Sequence, residues 1–218
     1  MIEEMFPAPV VAVDTRDDAP QHVLYPEERA LLLRAVPVRR REFTTVRSCA
    51  RTALSRLGVP PAPLLPGSRG APVWPDGVVG SMTHCSGYRA SAVARSRDVL
   101  TIGLDAEPNG PLPPGLLATI AHAEERRWIA ELSERHTEVH WDRLLFSAKE
   151  AVYKAWYPLT ERWLDFKDAV LTPDVAHGTF HARLLVPGAR VGGRRLSEFT
   201  GRWLVRDGLV LTAIAQTA

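Results

Sequence analysis

Asp105 and Glu107 stand two residues apart in Ile102-Gly103-Leu104-Asp105-Ala106-Glu107-Pro108. On an extended strand that spacing puts both carboxylates on one face. Adjacent carboxylates repel, so they want a cation between them, and oxygen-only ligands suit a hard ion such as Mg2+ or Ca2+. By itself an Asp-x-Glu also reads as two exposed acids at a strand end. A second group lies in Phe146-Ser147-Ala148-Lys149-Glu150-Ala151-Val152-Tyr153-Lys154-Ala155-Trp156. Glu150 precedes Lys154 by four residues, the favourable order for a helical ion pair. The rest of the segment is largely apolar, so its charges sit at a cleft or inside the fold, where ionised groups need partners. Lys149 and Lys154 are two of only three lysines in an arginine-rich chain. A compact ammonium used where guanidinium is the default suits a phosphate. A third element, Gly80-Ser81-Met82-Thr83-His84-Cys85-Ser86-Gly87, brings small hydroxyl residues and one histidine to a strand end. Such a loop offers N–H and hydroxyl donors to a phosphate.

Together these parts describe a metal-bridged pyrophosphate site. Asp105, Glu107 and Glu150 would hold the cation, the lysines would neutralise phosphate, and a spare carboxylate would take a proton from a nucleophile. From Arg34 to Arg69 the chain carries eight arginines (34, 39, 40, 41, 47, 51, 56 and 69) against one acid, Glu42, although the whole chain has a formal charge of only +2. That local excess suits phosphate, nucleic acid or an acidic protein; its plain alternative is a solvated helix face.

The elements that must position these groups come in two batches. A strand at Val10–Asp14 leads to a helix starting at Pro26 and continuing through Ala30–Leu33. A longer helix runs from about Val38 to Leu57 with three-four apolar spacing and stops at Gly58. Arg40, Arg47 and Arg51 share one of its faces. After the proline-rich loop Pro60–Gly70 and the turn Pro75-Asp76-Gly77, the segments Val78–Thr83, Tyr88–Ala94 and Val99–Asp105 read as a β meander. The second batch has a rigid loop at Pro108–Pro114 and helices near Ala123–Ser133 and Val139–Trp156. Strands follow at Trp163–Leu171 and Thr179–Val186, then a hairpin of Thr200–Arg206 and Leu209–Ala215 turning at Asp207-Gly208. The fold class expected is α+β, with two similar lobes side by side.

At 218 residues, 45% hydrophobic and 24% charged, the chain has room for one domain or two small ones, and its composition excludes a disordered or fibrous protein. No apolar run approaches the ~18 residues of a membrane-spanning helix. Cys49 and Cys85 cannot alone build a disulfide framework or a thiolate zinc site. The acidic start and the short apolar stretch Pro9–Val13 do not read as a signal peptide, so a cytoplasmic protein is expected.

Gly70-Ala71-Pro72 leading to Thr83-His84, then Ile102–Glu107, then Phe146–Lys154, occur in that order. The ordered triple resembles the 4′-phosphopantetheinyl transferases of the surfactin/enterobactin (Sfp/EntD) type, especially their actinobacterial branch. The resemblance implies a monomeric pseudodimer of two α/β lobes within one chain, residues 1–104 and 105–218, with coenzyme A in the cleft between them. It implies Mg2+-dependent transfer of 4′-phosphopantetheine from coenzyme A to a serine of an acidic acyl or peptidyl carrier protein, releasing 3′,5′-ADP, with Mn2+ as the alternative metal. Neither nucleic acid nor membrane is an expected partner. Carriers of fatty-acid, polyketide, nonribosomal-peptide and siderophore systems all fit.

By position, Asp105, Glu107 and Glu150 would be the metal ligands, with Glu150 as general base or completing the metal shell. Lys154 and Lys149 would contact the pyrophosphate. Thr83, His84, Arg39, Arg47 and the Gly67, Ser68, Arg69 loop would hold the adenosine-phosphate end. Where some relatives carry a lysine before the proline of the first motif this chain has Ala71, and Arg69 stands in its place. Two rival readings compete: a metal-dependent nuclease, whose lysine usually follows its acid by two on a strand rather than by four on a helix, and a coenzyme A-binding module without turnover.

Overall fold

The computed structural model describes residues 1–18, 23–191 and 193–217. Its helices are α1 (Pro26–Ala30), α2 (Pro37–Arg56), α3 (Leu116–Ile120), α4 (Ala123–Arg135) and α5 (Trp141–Thr160). Its strands are β1 (Val11–Thr15), β2 (Val78–Cys85), β3 (Tyr88–Arg95), β4 (Val99–Pro108), β5 (Ala169–Asp174), β6 (Thr179–Leu184), β7 (Ala189–Val191), β8 (Arg194–Leu196), β9 (Glu198–Arg206) and β10 (Leu209–Thr217). Strands β1, β3 and β2 make one antiparallel sheet in that order, and β4-β10-β9-β6-β5 make a second. The architecture is mixed α and β. No helix among the described residues is long and apolar enough to cross a membrane.

Each of these two sheets is covered by one long helix, while β7 and β8 form a separate two-stranded ribbon. Pro37 opens α2, where its fixed φ and missing N–H cost nothing. Ala50, Ala53 and Leu54 of α2 then pack on Val78 and Val93 of the small sheet. The helix ends at Gly58, which takes a φ of +71°. Helix α5 buries Leu144, Leu145, Ala148, Val152 and Trp156 against the large sheet, and each large apolar side chain so buried contributes about 1.5–3 kcal/mol. The β9–β10 hairpin turns at Asp207 and Gly208, both at positive φ, as a two-residue turn between twisted strands requires.

Three local expectations change. Helix α1 stops at Ala30 and the chain turns through Leu31–Arg34. Helix α5 runs past Trp156 to Thr160 and contains Pro158; the proline falls in the last turn, where little of the hydrogen-bond ladder remains to be broken. The stretch from Trp163 is not a strand until Ala169. The Asp165 side chain accepts from the Lys167 N–H, and Asp168 accepts from the Asp165 N–H; these local bonds compete with a ladder and wind the segment into a 3₁₀ turn. The short helix α3 follows Gly115 without a sequence signal of its own length.

The fourth strand also departs from the meander. β4 leaves β3 and pairs along its whole length with β10, so the expected boundary between residues 104 and 105 falls inside one strand. β4 still runs beside β2, but without a backbone ladder. The Leu104 N–H donates to Ser81 Oγ at 3.1 Å and the Ala106 N–H donates to Thr83 Oγ1 at 3.1 Å. Two residues on β2 thus match two on β4 in parallel register, with hydroxyls standing where carbonyls would be. Across the other face of β4, α5 approaches so closely that a Cβ on Gly103 would overlap the Ala151 carbonyl. Thr101 Oγ1 fastens the same contact by donating to the Ala155 carbonyl at 2.8 Å.

Gly103→Ala should therefore force α5 off β4, with a loss of about 1–3 kcal/mol, the usual cost of overpacking. Urea unfolding would show it as a lower midpoint at unchanged slope; an unshifted midpoint would mean that the close approach carries no strain.

Candidate active site

Strand β4 ends where β2 and α5 converge, and the chemistry gathers there. Asp105 is only 5% exposed. Its Oδ1 accepts from Lys154 Nζ at 2.7 Å and from Thr83 Oγ1 at 3.3 Å, while Lys154 also donates to the Leu104 carbonyl at 3.0 Å. Thr83 thus spends its hydroxyl on β4, as donor to Asp105 and acceptor from Ala106. Asp105 Oδ2 is buried with no hydrogen-bond partner. A buried carboxylate oxygen left unmatched requires an explanation, and a bound cation supplies one.

Glu107, on the same strand face, is held by Arg143: Nη1 reaches Glu107 Oε2 at 3.0 Å, Nε the Gly110 carbonyl at 3.0 Å and Nη2 the Pro111 carbonyl at 2.7 Å. Burial, then the neighbouring Asp105 charge, pushes the Glu107 carboxyl above its usual range, with Arg143 opposing. Burial likewise pushes Glu150 up, Asp105 adds to the rise, and Lys154 opposes it.

Among the described residues no three His, Cys, Asp or Glu side chains stand together as a ready-made ligand cluster. Lys154 on Asp105 and Arg143 on Glu107 draw the carboxylates to separate partners. The donor set still fits a small hard cation of the Mg2+ kind, which binds through one or two carboxylates and completes its shell with substrate phosphate and water.

A cleft of about 550 Å³ opens beside this point. Its lining brings Gly67, Ser68 and Arg69 from one half of the chain to Glu150, Tyr153 and Lys154 from the other. Glu150 and Tyr153 also line an adjoining pocket of about 140 Å³, walled by Trp163, Leu164 and Phe166. At the C-terminal end of β2, His84 Nε2 lies 2.6 Å from Arg39 Nη1, and its Nδ1 lies 3.6 Å from Glu42. Arg39 can only donate, so Nε2 accepts and the proton sits on Nδ1, towards Glu42. Burial chiefly, with Arg39, Arg89 and Lys154 adding to it, lowers the His84 pKa against the opposing Glu42 charge.

Two expected members are elsewhere. Lys149 points into the protein, where Nζ donates to Glu125 at 2.8 Å and to the carbonyls of Ile120, Phe166 and Ala169. Arg47 is buried: Nε donates to the Leu64 carbonyl at 2.9 Å and lies 3.7 Å from Glu28. Burial brings its pKa down to about 10. The sequence reading missed Arg143, Glu42 and Trp163. Arg143 had a signal, since it precedes Glu150 by seven residues and Lys154 by eleven, which places all three on one helical face. Glu42 and Trp163 had none, because only the fold brings them near His84 and Tyr153.

Comparison with known proteins assigns the chain to a family. Residues 27–94 match the family model for the 4′-phosphopantetheinyl transferase N-terminal domain, and residues 101–195 match that of the 4′-phosphopantetheinyl transferase superfamily. The chain belongs to this superfamily and is a 4′-phosphopantetheinyl transferase. It is 60% identical to the 4′-phosphopantetheinyl transferase Svp of Streptomyces mobaraensis, over 100% of this chain and 90% of that protein. It is 48% identical to Npt of Nocardia iowensis, over 99% of each. With enterobactin synthase component D of Salmonella typhimurium it shares 31% identity over 81% of this chain and 72% of that one.

A histidine whose folded pKa lies below its unfolded value of about 6.5 stays neutral in the fold while the unfolded chain takes a proton. Stability is then lost as pH falls from about 6.5 towards the folded pKa. Urea unfolding between these limits should show this loss in the parent protein and a flatter profile in His84→Gln; identical profiles would mean that His84 titrates normally.

Proposed function

We propose that the cleft binds coenzyme A with its pyrophosphate over Asp105 and Lys154, its adenosine phosphate towards Arg39 and His84, and its pantetheine arm in the apolar pocket walled by Trp163, Leu164 and Phe166. The observation that carries this reading is the unpartnered Oδ2 of Asp105, buried beside a lysine at the edge of a cleft that both halves of the chain line. Asp105 and Glu107 would hold Mg2+, with Mn2+ as the alternative, and Glu150 would face it from α5. The ion would supply charge neutralisation on the pyrophosphate.

The chain's own residues do the rest. Lys154 offsets negative charge on the phosphoryl oxygens as it builds, held in place by Asp105 and the Leu104 carbonyl. Glu150 accepts the proton from the carrier serine hydroxyl. Its burial raises its basicity towards neutral pH, which is what a general base needs. The serine oxygen bonds to the β-phosphorus, and the bond to the oxygen of the departing 3′,5′-ADP breaks. Arg143 fixes Glu107 while this happens. Arg34, Arg40 and Arg41 are exposed, and they suit an acidic carrier domain approaching the rim. The two sheets, each with its long helix, would be the two lobes of a monomeric pseudodimer.

Mass spectrometry of an apo carrier protein incubated with coenzyme A and Mg2+ should show the gain of one phosphopantetheine group. Glu150→Gln should lower kcat by about 10²–10⁴, the usual contribution of a positioned base, with an unchanged far-UV spectrum. A kcat equal to the parent's would remove Glu150 from the mechanism. Omitting the divalent ion should abolish transfer; full activity in chelator would remove the metal.

A further inference from the structure

The loop carrying Arg69 is braced from within. Pro66 and Pro72 form a bridge, the Gly67 N–H donates to the Ala71 carbonyl at 2.7 Å, and the Val73 N–H donates to the Leu65 carbonyl at 2.9 Å. At its tip Arg69 holds a φ of +54°, a conformation uncommon for a residue with a side chain. From there the guanidinium reaches across the cleft and lies 5.3 Å from the centroid of the Trp163 ring. Trp163 is 57% exposed, unusual for so large an aromatic, and is braced in turn by Tyr153, whose ring centroid is 5.1 Å away. Arg69 lines the larger cavity, Trp163 lines the smaller one, and Tyr153 lines both. The Arg69–Trp163 contact therefore spans the junction of the two spaces.

We infer that Arg69 and Trp163 form a strap across this junction that retains a ligand threaded through both cavities and ignores one confined to the larger. The inference rests on the placement of coenzyme A proposed above. The substrate carries a long pantetheine arm that would pass under the strap; the product 3′,5′-ADP has lost that arm. A strap of this kind slows escape of the substrate before transfer without holding back the product afterwards. Trp163 is thus a positioning residue that acts through Arg69, and neither exchanges a proton with substrate.

The test measures binding of coenzyme A and of 3′,5′-ADP by calorimetry to the parent protein, Arg69→Ala, Trp163→Ala and the double variant. A single cation–π contact at an exposed site implies a loss of roughly twofold to fivefold. Each single variant should weaken coenzyme A by that factor, the double variant should be no weaker than either, and 3′,5′-ADP should bind Trp163→Ala as it binds the parent. Trp163→Phe, which keeps an aromatic face, should recover part of the loss. Additive losses, equal losses for both ligands, or no loss at all would overturn the strap. Equal losses would make Arg69 a phosphate contact instead. Both side chains lie at the surface, and unchanged melting temperatures confirm that each variant is folded. A parent protein that transfers phosphopantetheine but shows no difference from the variants sinks the strap alone. Failure of the parent to bind coenzyme A sinks the placement on which it rests.

Discussion

Two neighbouring strands that do not share a backbone ladder must satisfy their facing amides in some other way. β2 and β4 do so with Ser81 and Thr83, whose hydroxyls accept from Leu104 and Ala106. A side chain is longer than a carbonyl bond, so the seam holds the two sheets together while leaving them separate. The site depends on this seam. It fixes Asp105 against Thr83 and brings the His84 end of β2 level with the carboxylate end of β4. Gly103 sets the opposite face, since only a residue without Cβ lets α5 close on β4 and deliver Lys154 to Asp105.

Buried charge does structural work at two other places and so leaves the site with fewer cations than the composition suggests. Glu28 is fully buried and accepts from the backbone N–H groups of Tyr25 and Leu64 and from Arg51, with Arg47 close by. This ties α1, α2 and the loop that leads to Gly67. Lys149 and Glu125 make the equivalent tie between α5, α4 and the segment before β5. Breaking one partner of such a pair leaves an uncompensated charge inside and costs about 3–5 kcal/mol. Arg47 and Lys149 are therefore scaffold for the cleft walls. Glu150 and Lys154, one and five residues beyond Lys149 on the same helix, are left to line the cleft.

Much of this organisation was legible in the chain. The three-four spacing of α2, the strand at Val99–Asp105 and the Asp207-Gly208 turn are local signals, and the structure has each of them. The Asp-x-Glu spacing also carries over, because alternation on a strand is a local property. Side-chain partners are not a local property. Lys149 and Lys154 lie five residues apart on one helix and share a motif, yet one is sealed inside and the other lies at the cleft. A residue pair that close on a helix differs in direction by more than a quarter turn, and only the packing of α4 against α5 decides which side is interior. The strand expected from Trp163 failed for a related reason, since two aspartates supplied local bonds that compete with a ladder.

By itself the sequence determined which chemistry was available: the carboxylates of β4, the acid and lysine of α5, the histidine of β2, and the elements that carry them. Tertiary structure alone decided that Arg143 answers Glu107, that Glu42 orients His84, that Lys149 is buried and that Arg69 meets Trp163. The physical reason is range. Alternation, helical period and turn chemistry act over a few residues, whereas ion pairing, desolvation and aromatic contact depend on which distant segments the packed core brings within a few ångströms.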